Sequence, residues 1–157
     1  MRIDVHHHYD AAPGAVHAML TDPAFWQSVL RGSDQVANCQ VDAVDQGVHL
    51  SVDVKAPSQV SKFTGPVLAM TLRATWAPDD AGWGGPVNIE VQKVPGGFTG
   101  TSTITPDGPG TAVTYTGDFT VRIPFVGKAL EQKAGPYLTA VLDDQQAQGV
   151  AWLTSHT

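Results

Sequence analysis

The stretch TAVTYTGDFTVRIPFVGKALEQKAGPYLTAVLDDQQAQGVAWL, residues 111–153, decides the fold because its hydrophobic period changes once, at Pro124. Up to Ile123 the apolar series falls on every second residue, with Val113, Tyr115, Gly117, Phe119, Val121 and Ile123 on one side and Asp118, Thr120 and Arg122 on the other. That is the period of a half-buried strand. Beyond Pro124 the apolar residues recur at helical spacing, through Val126, Leu130, Ala134, Tyr137, Leu138, Val141, Leu142, Trp152 and Leu153. A last strand therefore hands over to one long closing helix. Gly135-Pro136 lies inside it, and a proline there removes a backbone hydrogen bond and crowds the preceding turn, so a kink or restart is expected.

Working back toward the N-terminus, the chain reads as strands punctuated by turn residues. Phe98 to Thr105 is a Thr-rich strand between Pro95-Gly96-Gly97 and Pro106-Asp107-Gly108-Pro109-Gly110, and Val87, Ile89 and Val91 mark another after a turn at 78–86. Leu68, Met70, Leu72, Ala74 and Trp76 form a wholly apolar face alternating with Val67, Ala69, Thr71, Arg73 and Thr75. Ala37, Cys39 and Val41 pair with Val48, Leu50, Val52 and Val54 as a hairpin about Asp45-Gln46-Gly47. Between them, 55–66 carries Pro57 and Pro66 and reads as a strand-breaking connection. Before the hairpin, Pro13 opens a short helix with Val16, Met19 and Leu20, Asp22-Pro23 interrupts it, and Phe25, Trp26, Val29 and Leu30 form a second helix ended by Gly32. The chain begins with an alternating strand, 2–9, that points Ile3, Val5, His7 and Tyr9 to one side. The predicted class is α+β: a seven-stranded curved antiparallel sheet, two short helices after strand 1, and a long C-terminal helix packed over the sheet, as a single domain spanning 1–157. This architecture often leaves a cavity between helix and sheet.

Composition agrees with a globular chain. Its 157 residues suffice to bury roughly 70% of the surface exposed on unfolding, and 42% hydrophobic with 15% charged residues argues against disorder. The formal charge of -6, with no gathered basic patch, excludes nucleic acid as the expected partner. One cysteine, Cys39, forbids an intramolecular disulfide, and no segment has the length of a membrane span or the apolar core of a signal peptide. The expectation is a cytoplasmic protein without stable membrane insertion.

Three segments carry a resemblance to a known superfamily. The opening VHHHYDAAPGAVHAMLTDPAFWQSVL, with Thr21-Asp22-Pro23-Ala24-Phe25, the exit TVRIPFVGKALEQ and the closing AWL resemble the START/Bet v 1-like (SRPBCC, helix-grip) superfamily, and within it an actinobacterial branch that is a domain of unknown function. The resemblance covers essentially the whole chain and rests on structural motifs. It implies a helix-grip fold and, for the wider superfamily, binding of lipids, sterols, polyketides or similar molecules, with cyclisation or hydrolysis in a few members. No catalytic residue is carried over, and the uninterrupted final helix of the family is broken here by Gly135-Pro136.

Candidate chemistry is sparse. In His6-His7-His8, period-two geometry sends His6 and His8 outward and His7 inward alone, which is too few ligands on one face for a structural metal. Cys39 lacks the surroundings of a nucleophile, no glycine-rich loop sits at a strand-to-helix junction, and Asp79-Asp80 and Asp143-Asp144 read as a turn and a solvated helix face. No metal or cofactor is called for. The sharper signal is Gln145, with Gly149, on the apolar stripe of the last helix, where a polar group must find a partner. With His7, Ser102 and Tyr115 it supplies polar points to an otherwise apolar lining of Met70, Leu72, Trp76, Phe119, Tyr137 and Val141. Carriage of a hydrophobic small molecule is the first expectation. A cyclase or aromatase with His7 or Tyr115 as acid or base is the alternative, and a ligand-free interaction domain the third, with exposed strand edges that could pair two copies.

Overall fold

The computed structural model describes residues 1–56 and 58–156, and within them every side chain but those of Gln59 and Val60. In chain order the elements are β1 (Arg2–Tyr9), α1 (Pro13–Leu20), α2 (Pro23–Arg31), β2 (Val36–Val44), β3 (Gly47–Lys55), α3 (Ser58–Thr64), β4 (Val67–Thr75), β5 (Ala77–Asp79), β6 (Gly82–Val91), β7 (Val94–Asp107), β8 (Gly110–Val121) and α4 (Gly127–Ser155). The strands form one antiparallel sheet in the order β1-β8-β7-β6-β4-β3-β2, with β5 attached to β6. The closing strand and helix lie where the change of period places them.

Four local readings change. The sheet has eight strands rather than seven, because the segment read as a turn at 78–86 is mostly ladder. The Asp79 carboxylate accepts from the backbone N–H groups of Ala81 (2.9 Å) and Gly82 (2.8 Å), closing a tight turn that frees the residues on either side to pair as β5 and β6. Pro86 is tolerated in β6 because it falls between the pairing to β5, which ends at Gly84, and the pairing to β4, which begins at Val87. Likewise Pro95-Gly96-Gly97 belongs to β7, and the turn before it is made by Gln92 and a left-handed Lys93 (φ 65°). The connection between β3 and β4 holds the short helix α3, while Pro57 lies outside the described residues. Finally, α4 runs through Gly135-Pro136 without a restart. Pro136 faces solvent, so its ring costs one rung of a 29-residue ladder and displaces no packed neighbour.

The helices begin for local reasons. Pro13 and Pro23 each occupy a first helical turn, where the missing N–H has no intrahelical role, and the Asp22 side chain caps α2 by accepting from Ala24 N at 2.9 Å. The Trp26 indole donates to Leu20 O at 2.8 Å and ties α2 to α1.

Burial of the inner face is graded along the strands. One end of the sheet carries the β2–β3, β5–β6 and β7–β8 turns and the entry to α1; there Val48, Leu50, Ala74, Val87, Ile104 and Val113 are buried. The other end carries the α3 connection, the β6–β7 turn and the loop from β8 to α4. Toward that end Val54, Leu68, Met70, Ile89 and Phe119 are only half-buried, while Phe98, between Ile89 and Phe119, is buried. The grip is closed at one end and open at the other.

α4 descends closely because two of its sheet-facing residues lack side chains. A Cβ at Gly149 would stand 2.8 Å from the Tyr9 ring and 3.1 Å from its hydroxyl, and one at Gly135 would strike the Met1 methyl. Gly149→Ala should therefore lose the gain of up to about 1 kcal/mol that glycine-to-alanine normally brings in a helix, and Gly149→Leu should destabilise by about 1–3 kcal/mol through overpacking. Gly14→Ala, at an exposed helical site with nothing within 4 Å, is the control and should stabilise or be neutral. Urea denaturation of the three variants checks this, and equal effects at Gly14 and Gly149 would contradict the close contact.

Candidate functional site

Strands β1 and β8 and helix α4 meet at a small polar cluster within the apolar core. The strand period carries His7 and Tyr9 inward from β1 and Tyr115 inward from β8, with Val5 opposite Tyr115 and His7 opposite Val113. From above, Gln145 on the buried stripe of α4 donates through Nε2 to the Tyr115 hydroxyl at 3.1 Å. The His7 ring lies edge-on to both tyrosines, with centroids 5.6 Å from Tyr115 and 6.3 Å from Tyr9. His7 and Gln145 are each only 2% exposed.

The cluster is incompletely paired. Both ring nitrogens of His7, the Tyr9 hydroxyl and the Gln145 side-chain oxygen are buried without a hydrogen-bond partner. A native core keeps few such atoms, since each costs about 1–3 kcal/mol when shielded from water and left unsatisfied. Four of them on two neighbouring elements mark a place where further polar atoms belong.

Burial also sets the charge states. It pushes the His7 pKa below its ordinary 6.5, against an opposing pull from the Asp143 carboxylate, so the ring is neutral near pH 7 and offers one donor and one acceptor. Burial raises Tyr115 to about 12, with the Gln145 hydrogen bond opposing, and raises Tyr9 further, so both phenols stay protonated. The cluster can exchange neutral hydrogen bonds with an uncharged or protonated polar group.

The residues expected around a cavity separate into distinct sets. His7, Tyr115 and Gln145 come together in the cluster. Trp76 and Ser102 are fully buried and bond to each other, the indole N–H donating to Ser102 Oγ at 2.9 Å, and Ser102 stands opposite Tyr115 in the β7–β8 register. Met70, Leu72 and Phe119 are half-buried on the inner face, Leu72 opposite Leu50 near mid-strand. Tyr137 and Val141 are corrections: they are 49% and 62% exposed, on the outer flank of α4. The stripe that faces the sheet passes instead through Gly135, Leu138, Leu142, Gln145, Gly149 and Leu153. Because its centre is small or polar, apolar weighting draws the reading one residue off axis. Tyr9 joins the site without having been singled out from the sequence, although its place in the same alternation as His7 carries the signal.

His6 and His8 point outward. His6 faces the Asp4 carboxylate at 3.1 Å, and His8 faces Asp10 and Asp107 at 3.2 and 3.0 Å. Among the described residues no group of three or more His, Cys, Asp and Glu could hold a metal ion. An open groove of about 560 Å³ runs between the start of β1 and α4, lined by Met1, Ile3, Gly135, Pro136, Thr139 and Asp143 among others. None of the expected lining residues borders it. It shares Asp143 with the electrostatic surroundings of His7.

The fold has many solved counterparts. A protein of Thermus thermophilus, TTHA0849, superposes with a TM-score of 0.62 over 96% of this chain and 98% of its own, at 18% identity. Protein Ms6760 of Mycobacterium smegmatis gives 0.64 over 99% and 92% at 18% identity. A START superfamily protein of Mycobacterium smegmatis gives 0.58 over 94% and 95% at 15% identity. Likeness at these identities is likeness of fold, and the fold is the START/Bet v 1-like helix grip. No curated protein matches the chain. Residues 4–153 match the model of the family described as a protein of unknown function, DUF2505, and the chain belongs to that family.

Proposed function

We propose that the protein binds an apolar small molecule, such as a lipid or polyketide, beneath α4. Its apolar body would lie against Met70, Leu72, Phe119, Leu138 and Leu142 at the open end of the grip, and its one polar end would reach His7, Tyr9 and Gln145. The observation that carries this reading is the set of four buried polar atoms without partners, beneath a helix that leaves part of the sheet's apolar inner face half-buried. A mainly apolar surface with a few convergent polar groups is the usual lining of a small-molecule site. The START-like fold is compatible with such a site.

A cyclase-type reading uses the same place. It draws on His7, a neutral imidazole with both nitrogens unpartnered beside the protonated phenol of Tyr115, an acid–base pair suited to a bound carbonyl compound. Loss of turnover in His7→Ala with ligand retained would favour it over simple carriage.

Mass spectrometry of the untagged protein, native and then after organic extraction, should release a stoichiometric small molecule. An empty protein that also shows no thermal shift with fatty acids, sterols or aromatic polyketides would contradict the proposal. The double variant Tyr115→Phe/Gln145→Leu removes both partners of one buried hydrogen bond, so it should fold with stability changed by less than about 1 kcal/mol while retaining no ligand. Tyr115→Phe alone strands the amide of Gln145 and should cost about 1–3 kcal/mol.

His7 also predicts a pH dependence. In the unfolded chain it takes up a proton near its ordinary 6.5, whereas in the fold it resists protonation to lower pH. Between those two values the unfolded state binds more protons, so stability is full above about pH 6.5 and falls as the pH drops through the window below it. His7→Gln should flatten that limb of a plot of unfolding free energy against pH, and an unchanged limb would contradict the burial of a neutral His7.

A further inference from the structure

The open end of the sheet combines exposed apolar side chains with most of the chain's positive charge. Phe125, in the loop from β8 to α4, is completely exposed, held outward by a left-handed backbone (φ 70°) that a phenylalanine rarely adopts. Phe63 on α3 and Val67 at the start of β4 are each 47% exposed, and both elements belong to the same end. Besides Arg2, which faces Asp118, six more of the nine lysines and arginines stand there: Lys55 at the end of β3, Lys62 on α3, Lys93 in the β6–β7 turn, Arg122 after β8, and Lys128 and Lys133 in the first turns of α4. All six are exposed, and among the described residues none is in an ion pair, while Lys62 Nζ stands 5.3 Å from the centroid of the Phe63 ring.

The acids are arranged the other way. Asp10, Asp45, Asp79, Asp80 and Asp107 occupy the turns and the strand exit at the closed end. At the open end Asp118 faces Arg2 at 3.7 Å and Glu131 faces the amino terminus at 3.3 Å, which leaves Asp34, Asp53 and Glu90 against the six free cations. A protein with a net charge of -6 thus presents a basic face where its aromatic side chains protrude. No helix among the described residues is long and apolar enough to cross a membrane, so contact of these helices with a bilayer would be at its surface.

We propose that this end docks on the surface of a bilayer containing anionic lipid, with Phe125 and Phe63 entering the headgroup region and the ring of lysines and Arg122 meeting lipid phosphates. Apolar insertion and electrostatic attraction act together in such contacts, and neither alone holds a protein firmly. The proposal does not rest on the ligand reading. Docking in this orientation does, however, set the half-covered apolar face of the sheet toward the membrane.

Co-sedimentation with phosphatidylcholine vesicles, and with vesicles carrying about one-quarter phosphatidylglycerol, tests the inference on the full chain. The wild type should partition onto the anionic vesicles and not the neutral ones, and added salt should release it. Phe125→Asp should lower the partition by about tenfold, and Lys93→Gln and Lys128→Gln by about fivefold each, with melting temperatures unchanged because all three sites are exposed. Absence of binding at low salt, equal binding to neutral vesicles, or binding indifferent to Phe125→Asp would overturn it. So would retention on polyglutamate without retention on anionic vesicles, which would assign the basic face to an acidic protein partner.

Discussion

The arrangement depends on how closely α4 can approach the edge of the sheet formed by β1 and β8. Gly149 lets Tyr9 lie against the helix backbone, Gly135 does the same for Met1, and between them Gln145 bonds to Tyr115. These contacts fix the height and rotation of a helix that spans 29 residues. They also decide what the helix does not cover. With its C-terminal half settled against α1, α2 and the closed end, α4 leaves the inner face at the other end half-exposed.

An apolar helix face seated on an apolar sheet would have met the demands of folding more simply. The chain instead places a neutral histidine, two protonated tyrosines and a glutamine at the point of closest approach, and leaves four of their polar atoms unmatched. Such a cluster is unfavourable in a dry core unless another molecule completes it. That is the physical link from fold to proposed role: the stability given up in the cluster is recovered when a ligand or ordered water supplies the missing partners.

Much of this is legible in the residues. The change of period at Pro124 marks the last strand and the closing helix, and alternation in β1 places His7 inward with His6 and His8 outward, because a two-residue period has no ambiguity about faces. Helical phase is harder to read. Tyr137 and Val141 sit one position from Leu138 and Leu142, about 100° away around the helix, and only contact with the sheet distinguishes the pairs. Proline and glycine mislead in β6 and β7, where Asp79 closes one turn and Lys93 another, so that Pro86, Gly96 and Gly97 run on as strand. The basic, aromatic end cannot be seen in the sequence at all, since Lys55, Lys62, Lys93, Arg122 and Lys128 are scattered along the chain and converge only through topology.

A crystal structure of the untagged protein as purified, at a resolution that places bound solvent and small molecules, tests the central claim most directly. The account predicts density within about 3.2 Å of a His7 nitrogen and of the Tyr9 hydroxyl or Gln145 oxygen, continuing as apolar density across Met70, Leu72 and Phe119. A closed interior would contradict it, with those polar atoms bonded to one another and α4 packed flush over the same three apolar residues.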